Sequence, residues 1–168
     1  LGSNAVDLSN IVFTSGINLT FDTGISIEAG GYLIVCESSD AMMNVFGVEG
    51  IVWDGGMSNG GEAIALKDAA GVLVDSLSYD DNAPWPSQAD GTDGGGASIE
   101  LCDATSDNTL GANWRAATND IGMIINGAIV LGTPGVANTV LCETQPNHIV
   151  NAAGLSFTPK DITIEIGE

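Results

Sequence analysis

Apolar and polar residues alternate with period two along much of the chain, in runs that are short. Ala5-Val6-Asp7-Leu8-Ser9 puts Val6 and Leu8 on one face and Asp7 and Ser9 on the other, the pattern of a half-buried strand. Residues 18–21 and 25–28 read the same way. After Gly30-Gly31 the run Tyr32-Leu33-Ile34-Val35-Cys36 is apolar throughout, which suits a central strand, and the small, acidic segment 37–40 ends it. Ala63-Ile64-Ala65-Leu66-Lys67 and Val72-Leu73-Val74 flank Asp68-Ala69-Ala70-Gly71, a glycine-containing connection that predicts a hairpin. The apolar phase then moves from Val72 and Val74 to Leu77 and Tyr79, as at a β-bulge. A loop rich in Pro, Trp and Gly, residues 80–96, leads into Ala97-Ser98-Ile99-Glu100-Leu101, with Ala97, Ile99 and Leu101 on one face. Asn126-Gly127, between Met123-Ile124-Ile125 and Ala128-Ile129-Val130, is the strongest two-residue hairpin signal in the chain.

No segment shows a convincing helical period, and no repeat of solenoid or propeller length is present. Short strands separated by turns predict an all-β fold, an antiparallel sandwich or barrel. Its expected core is Leu33, Val35, Ile64, Leu66, Val74, Leu77, Ile99 and Leu101, the inward phase of each strand. A chain of 168 residues accommodates one well-buried domain and a short appendage.

Charge narrows the partners. Lys67, Arg115 and Lys160 face 22 acidic residues, a net charge of −19. Three scattered cations cannot form the basic stripe that a phosphate backbone or an anionic membrane surface requires, so neither nucleic acid nor membrane is an expected partner. The longest nearly apolar stretch, 121–131, is broken by Asn126-Gly127 and falls well short of the ~20 residues that span a bilayer. The chain opens at Leu1 without a signal-peptide pattern, as a processed product would. The acidity itself fits solubility in an extracellular or salty setting.

Candidate chemistry is sparse. His148 is the single histidine, so nucleophile–histidine triads are not expected. Gly94-Gly95-Gly96 leads into a strand and lacks the helix N-terminus that a phosphate needs. Asp103 and Asp107, with Asn108, are candidate calcium ligands, although their spacing is not that of an EF-hand; a polar turn in which both carboxylates cap backbone N–H groups is the competing reading. Trp53, Trp85 and Trp114 either form an exposed platform for sugar stacking or close the ends of the fold with buried rings. Asn18-Leu19-Thr20 is a glycosylation sequon to which no function is attached. Cys36, Cys102 and Cys142 lack zinc-site spacing and suggest one disulfide plus one thiol in an oxidising compartment. Cys36 and Cys102 each end a strand on the face opposite its core positions, which pairs them and leaves Cys142 over, with Cys102–Cys142 as the alternative.

Several elements occur together in a particular order: 29–35, Leu66-Lys67-Asp68, 74–79, Ala83-Pro84-Trp85-Pro86, Asp90-Gly91, 96–101, Asn113-Trp114 and Gly132-Thr133-Pro134-Gly135 to Asn138. In this the chain resembles the bacterial lamin-tail domain, from about Ala5 to Asn138. The resemblance implies an immunoglobulin-like β-sandwich without an active site, used in secreted or cell-surface proteins for interaction or anchoring. No cofactor is expected, calcium apart. Members of that family usually carry opening strands that this sequence lacks. Residues 1–141 are thus expected to form the sandwich short of its opening strand or strands, and 142–168 a linker and strand tail similar to the start of a cupredoxin-like domain. That tail ends before the part of such domains that holds copper. Ile162, Ile164 and Ile166 alternate with polar residues, and the segment is expected to dock on the open sheet edge of its own chain or of a neighbour. The functional expectation is a non-catalytic structural or interaction module with protein partners or self-association. The alternative is a carbohydrate-binding module of a larger secreted enzyme.

Overall fold

Turn chemistry and short ladders dominate the structure, a computed structural model that describes residues 2–142. In chain order the elements are β1 (Val6–Asp7), β2 (Val12–Ser15), β3 (Ser26–Ile27), β4 (Val35–Cys36), α1 (Ser39–Phe46), β5 (Ile51–Val52), β6 (Gly61–Lys67), β7 (Leu73–Asp80), β8 (Ile99–Leu101), β9 (Trp114–Ala116), β10 (Asp120–Ile125) and β11 (Ala128–Leu131). They pair as a three-stranded sheet β2-β6-β7 and four two-stranded sheets, β1-β3, β4-β5, β8-β9 and β10-β11. The fold is all-β and sandwich-like, with five antiparallel ladders among the described residues.

Both hairpins form where the turn residues predict them. Asn126 (φ 52°) and Gly127 (φ 86°) occupy the two left-handed positions of the β10–β11 turn, the backbone that matches strand twist. Between β6 and β7, Asp68 Oδ1 accepts the N–H groups of Ala70 and Val72 at 2.9 and 2.8 Å, closing the loop from inside. The register then slips: Leu66 faces Asp75, whereas Lys67 faces Leu73. Val74 is therefore the extra residue of a bulge, where the apolar phase shift places one. It is 55% exposed and is removed from the expected core.

Three expectations are corrected. A helix exists: Ser38 Oγ caps α1 by accepting the Ala41 N–H at 3.2 Å, and Gly47 ends it at φ 70°. Its half-buried side chains, Ser39, Met42, Val45 and Phe46, follow helical spacing, but two turns leave too short a window for the period to stand out. This helix links β4 to β5, which pair in parallel, as a crossover connection permits and a hairpin does not. Only Val35 and Cys36 of the apolar run 32–36 join a ladder.

The core also lies elsewhere than expected. The buried apolar residues are Leu8, Ile17, Phe21, Cys36, Trp53, Trp85, Ala97, Cys102, Ala117 and Val140, and of these only Cys36 belongs to a ladder. The other seven residues of the expected core are half-buried, and Val6 is exposed although Leu8 beside it is not. Strands of two to four residues present few side chains to an opposing layer, so turns and connecting segments folded over the sheet ends complete the burial.

Candidate functional site

Around β8 and β9 the structure gathers most of the residues that the sequence singles out. Trp85 is buried and lies against Trp114 with ring centroids 5.6 Å apart and planes tilted by 34°. Gly111 makes this approach possible, since a Cβ there would stand 2.6 Å from Trp85 Cδ1. Trp114 Nε1 donates to Asn108 O at 2.9 Å, so its polar edge is satisfied inside the fold. Trp53 is buried separately, next to β5. The three rings do not form an exposed platform.

The disulfide joins Cys102 to Cys142 across 40 residues, with Cα atoms 4.8 Å apart. Cys36 is free and buried, so the Cys36–Cys102 pairing is corrected in favour of the alternative. The cause is tertiary. Asn138 Nδ2 donates to Leu101 O at 2.9 Å, which draws the returning segment along the end of β8 and brings Cys142 to its neighbour Cys102. Cys36 is held instead in the β4–β5 ladder, where a Cβ on Gly50 would stand 2.6 Å from its sulfur.

Asp103 and Asp107 take up the same turn geometry. Asp103 Oδ1 accepts the Thr105 N–H and hydroxyl, both at 2.7 Å, and Asp107 Oδ1 accepts the Thr109 N–H at 2.9 Å and hydroxyl at 2.6 Å. Hydrogen bonds to the charged form hold both carboxyls below the ordinary aspartate range. The backbone bond from Thr105 is foremost for Asp103, and the hydroxyl bond from Thr109 for Asp107. Among the described residues no three His, Cys, Asp or Glu side chains converge as a metal site would require. Asn18 of the sequon is exposed, its carbonyl accepting the Asp54 N–H at 3.4 Å. The third glycine of Gly94-Gly95-Gly96 serves close packing: at Gly96 (φ 94°) a Cβ would meet Ile129 O at 2.1 Å, where the lead-in to β8 runs beside β11. His148 and the tail residues Ile162, Ile164 and Ile166 lie outside the described residues.

One group was not anticipated. Glu100, in the middle of β8, is only 4% exposed. Its Oε1 accepts the Thr133 hydroxyl at 2.5 Å, and Thr133 Oγ1 also lies 3.3 Å from Asn138 Oδ1. Its Oε2 is buried without a hydrogen-bond partner. Period-two alternation puts Glu100 on the face opposite Ile99 and Leu101 and so predicts solvent; the returning Gly132-Thr133-Pro134 turn and α1 border that face instead. Glu100 also lines a cleft of about 310 Å³ between α1 and this turn, walled by Met42, Phe46, Ile99 and Pro134. A second open cleft, of about 220 Å³, lies beside Tyr79, whose hydroxyl donates to Ser58 O at 2.5 Å. Burial, and then the Glu62 charge, raise the Tyr79 pKa. Among the described residues no helix is long and apolar enough to cross a membrane. No protein-family model, no curated protein and no solved structure matches the chain.

Proposed function

We propose that this chain is a non-catalytic, extracellular module of the lamin-tail type, immunoglobulin-like in topology, that serves interaction or assembly between proteins. The observation that carries the reading is the Trp85–Trp114 pair. Both rings are engaged in packing against the protein itself, with Gly111 shaped around one and Asn108 O satisfying the other. A sugar-stacking platform needs the reverse, flat aromatic faces open to solvent. The turn carboxylates support the same reading, because Asp103 and Asp107 are engaged by neighbouring hydroxyl and amide groups. The Cys102–Cys142 bond accords with an oxidising compartment. Within this proposal the alternating tail segment around Ile162, Ile164 and Ile166 supplies the assembling strand.

Affinity electrophoresis through gels carrying cellulose, xylan, chitin or mannan tests the module against its carbohydrate-binding rival. Unretarded migration in every gel is expected. Retardation that Trp114→Ala abolishes would overturn the reading. Light scattering of the full chain against a chain ended at Cys142 tests assembly. The full chain is expected to show the larger multiple of its own mass, and equal monomers would remove the assembling role of the tail.

A further inference from the structure

We propose that the cleft lined by Glu100 binds an alkylammonium group, the side chain of a lysine presented by a protein partner. Glu100 is nine-tenths buried and has one satisfied and one unsatisfied carboxylate oxygen. A buried acceptor without a partner is costly, and a positive donor repays that cost better than a neutral one. The protein's own nearby cation does not fill the role. Arg115 stands directly opposite Glu100 in the β8–β9 ladder, yet its guanidinium donates to Ala112 O and Trp114 O at 2.6 and 2.8 Å.

The shape of the cleft selects among cations. Met42, Phe46 and Pro134 form walls suited to a methylene stem, and the Phe46 ring can face a cation beside it. Thr133 already occupies Oε1, so the two-pronged fork of an arginine finds only half of its match, whereas the point charge of a lysine needs only Oε2. A divalent cation is usually held by several carboxylates, and Glu100 is the one carboxylate among the lining residues. Oε2 is itself screened from solvent, so the ammonium reaches it only as side chains lining the cleft shift. The seating of α1 allows this, since the helix has no fully buried side chain. The net charge of −19 favours a cationic partner in addition.

The identity of the occupant rests on the interaction-module reading; the site does not, and small probes separate the two. Nα-acetyl-lysine N-methylamide is titrated into the full chain by NMR, alongside the norleucine and arginine analogues. Lysine is expected to bind at least about tenfold more tightly than either analogue, and Glu100→Gln to lower its affinity by about tenfold or more. Equal binding of lysine and norleucine, or undiminished lysine binding by Glu100→Gln, overturns the site while leaving the module reading intact. Should Glu100→Gln fail to fold, Met42→Lys on the outer helix carries the test. Its own ammonium is expected to abolish probe binding, and unchanged binding would equally overturn the proposal.

Discussion

The β2-β6-β7 sheet and the segment that runs from Trp85 through β8 and β9 to Cys142 solve the folding problem differently. The sheet holds the longest ladder among the described residues, with seven register pairs between β6 and β7, and all of its strand residues are half-buried or exposed. The other region is mostly turns around four strands of three to six residues, β8 to β11, yet it buries Trp85, Ala97, Glu100, Cys102, Ala117, Thr133 and Val140 and holds the disulfide. In this protein hydrogen-bonded regularity and burial occupy different places. A ladder satisfies backbone groups wherever it lies, but apolar burial requires something folded over it, and here that cover is irregular chain. Stability is therefore expected to reside mainly in the region with the less regular secondary structure.

The largest effect should come from Trp85→Ala, which removes a ring packed on Gly111 and Trp114. A loss of about 3–5 kcal/mol is expected from the urea midpoint, and a loss below about 1 kcal/mol would break the contrast between the regions. Next is the covalent tie. Cys102→Ser with Cys142→Ser opens a loop of 40 residues and is expected to cost about 4 kcal/mol, measured in the same denaturation assay. On the regular side, Val74→Thr alters the exposed bulge residue of β7 and should change stability by no more than about 0.5 kcal/mol; a larger loss would show that the sheet carries more burial than its exposure indicates.

The smallest effect is electrostatic and sharpens the comparison within the second region. Folded pKa values of Asp103 and Asp107 lie below the ordinary value of 3.8, so the unfolded chain binds protons first as pH falls. Their contribution is fully present above that value and is lost as pH falls through the folded pKa values. Carboxyl carbon shifts followed by NMR from pH 6 to pH 2 should give midpoints below 3.8 for both. Asp103→Asn should remove its share of the acid dependence, and a midpoint at or above the ordinary value would reject the turn-capping role.

Local chemistry decided much of the secondary structure. Asn126-Gly127 and Asp68 to Gly71 specify their hairpins because positive φ and an inward aspartate are properties of a few adjacent residues, and the phase shift after Val74 marks the bulge for the same reason. The Asp103 and Asp107 turns are equally local: each carboxylate finds its donors two residues ahead. α1 had local signals as well, Ser38 at one end and Gly47 at the other, but they enclose only eight residues.

What the sequence determined by itself is an all-β chain and its turns. Tertiary structure alone decided which faces are covered, and three outcomes follow from that. Cys102 meets Cys142 because Asn138 guides the returning chain past Leu101, Trp85 is buried because Gly111 leaves room for its ring, and Glu100 is enclosed because the Thr133 turn crosses its face. Alternation along a strand separates two faces but cannot say whether the outer one meets water. That depends on segments more than 30 residues away in sequence, as the separation of Glu100 from Thr133 shows, and their approach is a property of the folded chain.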